Sequence, residues 1–446
     1  MNKIVTLISC LTDVIEKKKL KQLQIIIHAI LTMRGRITMK GLSRWSEKGG
    51  SYSTINRFFH SEIDWLTINW LLIKDKLITL GIFLLVGDEV VITKDGKETF
   101  GVDRFFSSIQ NQVVPSISFL TVSIVSVSLR KAFTMLNVQI VKENKEGCIK
   151  DKSKCAKNKK SAKKSKRTPG RPKGSKNKNS KDKVKLSPYH LLVKESILKV
   201  LCKINKFIPI AYFVFDGAFG NHNAAQMVLQ TGLHLISKLR FDSALYFQFE
   251  GEQKGRGRKK KYGKKIDYKN IQEKYLKETT NENGIETNIF QMNMWHKKFV
   301  NLLNIVVIVK RDIEKKRVAH TVLFCTNLDL DYKKIVDYYS LRFQIEFVFR
   351  DAKQHWGMED FMNVNKIAVN NFTNLSTFMV NFSYPIRKEL GDKEMSIIDL
   401  KAHFHGLKYA NEALKLLPKI TDVILLNKLY DKITTIGAIK EKKDVA

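Results

Sequence analysis

Four side chains in one stretch are spaced for joint action: Tyr339, Arg342, Glu346 and Lys353. Steps of three, four and seven residues bring all four to one face of a helix. The pattern predicts a single long helix from about Tyr332 to His355. Two further acids sit in apolar, β-rich runs: Asp88 lies inside the run 82–94, and Asp216 closes the run 208–215. A nearly continuous apolar run of that length is the pattern of a buried strand. Three carboxylates gathered at one place have a definite chemistry. Cutting a phosphodiester requires an activated oxygen nucleophile and a stabilised leaving oxyanion, and two Mg²⁺ ions about 3.5–4 Å apart supply both. Mg²⁺ takes hard oxygen ligands, so a few carboxylates plus a substrate phosphate suffice. The bland reading of the helix is a surface stripe in which Glu346 pairs with Arg342 and Arg350. Apolar residues flank the stripe closely, which argues for partial enclosure instead.

Tyr-x2-Arg-x3-Glu-x6-Lys resembles the Y-R-E-K signature of DDE-type insertion-sequence transposases. Asp88 in Leu84-Leu85-Val86-Gly87-Asp88 resembles that family's first acid, and Asp216 in Val214-Phe215-Asp216-Gly217 its second. Lys94-Asp95-Gly96-Lys97 and Gly101-Val102-Asp103-Arg104 resemble the stretch after the first acid. The order strand-Asp, strand-Asp, insertion, helix-Glu matches as well, over roughly residues 80–390. The resemblance implies an RNase H-like fold that binds terminal inverted repeats and carries out DNA cleavage and strand transfer. It implies Asp88, Asp216 and Glu346 as catalytic acids and ligands of two Mg²⁺, with Mn²⁺ able to replace Mg²⁺. Asp88 would bridge both ions. Arg342 and Lys353 would hold phosphates of the cleaved end. Tyr339 would hydrogen-bond a phosphate or stack on a displaced base. It further implies double-stranded DNA as partner, a homodimer in the DNA complex, and a bacterial, nucleoid-associated location in the cytoplasm. Glu89 is a rival carboxylate beside Asp88, and strand alternation predicts that the two point to opposite faces.

The elements that must position these residues form a mixed α/β core. We expect an RNase H-like mixed sheet flanked by helices over 79–390. A disordered basic insertion at 142–187 and a β-rich insertion at 246–317 interrupt it. Residues 1–78 read as a helical domain and 391–446 as a helical tail. Within the first, 37–45, a Gly49-Gly50 break and 51–60 outline a helix-turn-helix. Arg44 and Arg57, with Lys48, Tyr52 and Asn56, are suited to phosphate and groove contacts. An ordinary αα-hairpin with a basic exposed face is the competing reading. The aromatic run Phe343, Phe347 and Phe349 reads as helix core. Glu359 and Asp360 lie beyond a helix end expected at Gly357.

Charge points the same way. The 446 residues carry 79 Lys+Arg and 43 Asp+Glu, a net +36, which calls for a polyanionic partner. A hydrophobic content of 43% excludes a disordered basic tail. Residues 142–185 hold 19 Lys/Arg against four acids, or +15, with hardly any large apolar side chain to offset ordering entropy. Inside that run, Pro169-Gly170-Arg171-Pro172-Lys173-Gly174 partly resembles an AT-hook, making Arg171 and Lys173 candidate DNA contacts. The run 254–265 adds eight Lys/Arg and no acid. No stretch reaches the ~20 apolar residues of a membrane span. Asp13 and Glu16 cut short the apolar N-terminus, so no signal peptide is expected. Five scattered cysteines give no zinc pattern. Two other functions fit the charge: a non-catalytic AT-hook and helix-turn-helix DNA-binding protein, and a metal-dependent nuclease that never joins ends.

Overall fold

The computed structural model describes residues 2–47, 49–77, 81–107, 110–142, 184–252, 255, 259–315, 317–391, 394–415 and 423–435. Arg171, Lys173, Lys48, Cys148 and Cys155, and with them most of the basic run, lie outside the described residues.

The chain opens with helices α1 (Asn2–Ile8), α2 (Lys17–Thr32), α3 (Met39–Trp45), α4 (Tyr52–Phe59) and α5 (Trp65–Leu77). The apolar stripe of α2, including Leu23, Ile26, Ile27 and Ile30, is buried. Thr38 caps α3 by accepting from the Gly41 N–H, and Ser51 caps α4 by accepting from the Thr54 N–H. Each cap satisfies a donor that the first helical turn leaves free. Strands β1 (Phe83–Thr93), β2 (Asp103–Ser107), β3 (Gln112–Ser126) and β4 (Lys131–Ile140) follow. Next come α6 (Pro188–Ile204), β5 (Ile210–Val214), α7 (His222–Leu229) and β6 (His234–Leu239). Then come β7 (Leu245–Gln248), β8 (Tyr262–Lys265), β9 (Leu276–Glu282), β10 (Ile285–His296), β11 (Leu303–Asp312) and β12 (Arg317–Cys325). The chain ends in α8 (Tyr332–Leu341), α9 (Gln344–His355), α10 (Lys366–Glu389), α11 (Ile397–Leu414) and α12 (Val423–Thr435).

Among the described residues these strands join one mixed 12-stranded sheet, ordered β2-β3-β1-β5-β6-β12-β11-β10-β7-β8. β4 pairs with β3, and β9 with β10. β1 runs antiparallel to β3 and parallel to β5, and β5 runs parallel to β6. This is an RNase H-like mixed sheet flanked by helices. The strands of residues 246–317 extend it through β12, which pairs antiparallel with β6.

Helix α10 ties the N-terminal helices to the sheet. It is buried along most of its length, yet carries Asn371, Asn374 and Asn381 inside. Asn371 accepts from the Trp65 indole N–H at 2.8 Å and donates to the carbonyls of Phe59 and Ser61. Asn381 donates to Asn69 and to the Thr134 carbonyl, and accepts from the Thr134 N–H. Asn374 accepts from Asn137, which in turn accepts from Thr121 on β3, the residue opposite Asp88. A buried amide without partners costs about 1–3 kcal/mol, so each of these bonds matters to the docking. A second latch joins Asp360 to the segment before α3. Its carboxylate accepts from the Ile37 N–H at 2.8 Å and lies 3.7 Å from Arg36. Gly357 makes this approach possible: its φ is +73°, and a Cβ there would sit 2.5 Å from the Ile37 side chain.

The long helix expected over 332–355 is two helices. α8 ends at Leu341 and α9 begins at Gln344. Between them, Phe343, Ile345 and Glu346 donate backbone bonds three residues back rather than four. That tightening interrupts the helix at Arg342 and Phe343. The aromatic run also differs from expectation. Phe343 and Phe347 are exposed, and only Phe349 is buried. Phe343 and Phe347 are one turn apart and share an outward face, whereas Phe349 is buried and borders the cleft.

Candidate active site

Register brings the first two acids together. Val86 on β1 stands opposite Val214 on the parallel strand β5. Asp88 and Asp216 each lie two residues further along, so their carboxylates emerge at one level. Gly87 sets this spacing, because a Cβ there would come within 2.8 Å of the Phe213 and Phe215 rings. β5 ends at Val214, and Asp216 then caps a short 3-10 turn by accepting from the Ala218 N–H at 3.0 Å. Helix α9 packs on β1 and β4 and carries Glu346 in its first turn. An open cleft of about 790 Å³ collects Asp88, Asp216, Glu346, Arg342 and Lys353 on its walls.

Arg342 spans the acids. Its Nη1 donates to Asp88 Oδ2 at 2.7 Å and its Nη2 to Glu346 Oε1 at 2.9 Å. The Arg342 and Asp88 side chains are only 17% and 18% exposed, so this pair is more than a surface ion pair. Burial pushes the Asp88 carboxyl up to about 6. Asp216 and Glu346 add to the rise, while Arg342 and the Glu89 N–H oppose it. Burial works against the Arg342 charge too, but Asp88 and Glu346 outweigh it and hold the guanidinium more basic than usual. Tyr339 stands at the end of α8, and burial pushes its phenol up despite Arg342; Asp216 and Asp88 push in the same direction. Lys353 is anchored: its Nζ donates to the Val91 carbonyl at 2.8 Å and pairs with Glu359 at 2.9 Å.

Glu89 also lines the cleft. β1 keeps its register there, with Asp88 opposite Thr121 and Glu89 opposite Leu120, so the two side chains alternate as expected of an extended strand. Asp88 meets Arg342, whereas Glu89 lies near Tyr189, whose phenol is raised by burial and then by Glu89. Glu359 also reaches the cleft, although α9 ends before it. Arg44 and Arg57 are exposed on α3 and α4, away from the cleft. Arg44 lines a separate groove with Tyr52, Asn56 and the segment 362–365. Phe106 and Ser107 of β2 line the cleft without having been singled out in the sequence. The only signal was the exposed phase of a short strand.

Residues 6–297 match the family model of the DDE superfamily endonucleases. This chain belongs to that family. The matched stretch contains Asp88 and Asp216 and ends before Glu346. A search of curated proteins finds no match. Membership makes this DDE protein an enzyme of the nuclease and transposase type, acting on DNA. No helix among the described residues is long and apolar enough to cross a membrane.

DDE endonucleases typically use divalent metal ions, and the cleft can be tested for one. Among the described residues, no three His, Cys, Asp or Glu side chains come close enough to hold an ion as they stand. The chemistry of the donors nevertheless fits. Three hard carboxylates line one partly desolvated cleft, and the raised Asp88 carboxyl reports chiefly its burial, with smaller contributions from Asp216 and Glu346. The guanidinium occupies the space between two of those acids.

Proposed function

We propose that this DDE superfamily protein is an insertion-sequence transposase, binding terminal inverted repeats and carrying out metal-dependent DNA cleavage and strand transfer. One observation carries the reading: an acid on β1, level with another just past the end of the parallel strand β5, shares a single cleft with a third on α9. Asp88, Asp216 and Glu346 would hold two Mg²⁺, or Mn²⁺ in its place. Bound there, the ions would activate the attacking oxygen and stabilise the departing one. The same in-line displacement serves water in cleavage and a DNA 3′-hydroxyl in strand transfer.

The chain's own residues do the rest. Arg342, drawn off its acids, takes a phosphate of the cleaved end in the same two-pronged manner. Lys353, fixed on the β1 backbone, holds the next phosphate. Tyr339 keeps its proton and so remains a hydrogen-bond donor. Residues 1–78 form the DNA-binding domain, with Arg44 and Arg57 on phosphates. Residues 79–390 form the catalytic core, and 391–446 a helical tail. Arg171 and Lys173 in the basic run 142–187 add backbone tethering. A homodimer joins two DNA ends, in a bacterial cytoplasm and on the nucleoid.

The test uses purified protein, Mg²⁺ and a duplex carrying the sequence that flanks its own reading frame. Wild type should nick the duplex, and Asp216→Asn and Glu346→Gln should each lower nicking by ~10³-fold or more, the scale of losing a metal-held transition state. Equal nicking by wild type and both variants would end the catalytic assignment. Nicking without joined products would leave a nuclease only.

A further inference from the structure

The cleft has an apolar rim that the catalytic acids do not use. The hairpin of β2 and β3 turns one face outward. On it, Phe106 stands opposite Val113, and Arg104 opposite Pro115. All four side chains are exposed, Phe106 by 57%, and Phe106 also lines the cleft. The opposite face is well anchored. Val114 is buried there, and the Lys142 ammonium sits 4.2 Å from the centre of the Phe105 ring while bonding the Arg104 carbonyl and Asp103. The bare face therefore belongs to a held strand pair rather than to a loose loop.

Size decides what could cover it. A cleft of about 790 Å³ is comparable to a small-molecule site. It admits a nucleotide or two of one strand and excludes a duplex. Asp88 is recessed, so a phosphate that reaches it must leave its helix locally. The bases next to it then lose both pairing and stacking. An exposed ring at the rim offers a stacking surface to any base, whatever its identity. Arg104 beside it supplies a phosphate contact. The charge of the neighbourhood fits, because the chain leaving Lys142 enters the run 142–185, which holds 19 Lys/Arg against four acids. Across the cleft, the exposed Phe347 ring lies 4.9 Å from the Arg350 guanidinium, and Arg350 lines the same cleft.

We propose that the outward face of the β2–β3 hairpin, with Phe106 at its centre, binds the unpaired nucleotides that flank the scissile phosphate. The hairpin thereby makes the enzyme selective for locally opened DNA ends. The proposal rests on the cleft being the DNA-cutting site.

The probes are two fluorescein-labelled duplexes of equal length, one blunt and one ending in three unpaired thymidines on each strand. Binding of the full chain is measured by anisotropy without divalent metal. Wild type should prefer the forked end by about 5- to 10-fold, the contribution expected of one stacked base. Phe106→Ala should lower that preference below about 2-fold, and Phe106→Trp should keep it. Phe241→Ala, an exposed ring away from the cleft, should also keep it. The proposal is overturned if wild type shows no preference, or if Phe106→Ala retains it. A change in self-association by light scattering, with the preference retained, would mean that a second copy covers the face. A fork preference without Mg²⁺-dependent nicking would defeat the transposase reading and leave the binding face standing. Nicking without the preference would do the reverse.

Discussion

The asparagines inside α10 and the acids in the cleft both keep polar groups away from bulk water, and they do so in opposite ways. Along α10 the groups are neutral, and Asn371 and Asn381 are bonded on both the donor and the acceptor side. In the cleft the groups are charged, and one guanidinium is shared by two carboxylates while a third stands near. The first arrangement rigidifies and has no excess potential to use. The second holds Asp88 at an elevated pKa, the mark of a group kept poised at a cost in stability. Structure and function are thus separated by whether polar demand is met.

The contrast can be broken experimentally. The largest effect on stability should come from Asn371→Leu. It keeps the volume but strands the Trp65 indole N–H and two backbone carbonyls, so unfolding stability should fall by about 3 kcal/mol or more, read from urea midpoints. A loss below about 1 kcal/mol would mean that the amide spine is ornamental. Asp88→Asn should act in the opposite sense. A carboxyl raised from 3.8 to about 6 binds its proton more tightly in the folded chain than in the unfolded one. Wild type should therefore lose stability through this group as pH rises from about 4 to 6, by up to ~3 kcal/mol. Asp88→Asn should lack that decline and be the more stable protein at pH 7.5 in EDTA, while failing to cleave. A variant less stable than wild type at pH 7.5 would show that the Arg342 bond outweighs burial. The smallest effect should be Phe347→Ser, within about 0.5 kcal/mol, because the ring is exposed. A loss of 2 kcal/mol would return that ring to the core.

The sequence made the sheet legible where strands are apolar on both faces. The runs around Asp88 and Asp216 announce themselves as buried strands, and the two-residue offset from Val86 and Val214 does the rest. The spacing of Arg342 and Glu346 likewise foretold that they would meet. The break after Leu341 was hidden, because Arg342 and Phe343 carry no helix-breaking chemistry. The outward turn of Phe343 and Phe347 was hidden for a related reason: periodicity groups residues onto a face without saying which face meets the sheet. Glu89 shows what alternation leaves open: neighbours on a strand meet different partners, Arg342 and Tyr189, and can still border one wide cleft. The asparagines of α10 are polar residues inside a helix buried along most of its length. Their burial depends on Trp65 and Phe59, some 300 positions away in the chain, which no local pattern records.

The latch between Asp360 and Ile37 lies just past the end of the helix that carries Glu346. It joins the start of α3 to the chain only seven residues beyond Lys353. On the proposed reading, DNA gripped by α3 and α4 is consequently held at a set offset from the acids. A protein that works this way is a gauge: it would not look for the bond to break after docking, because docking would already have measured it out.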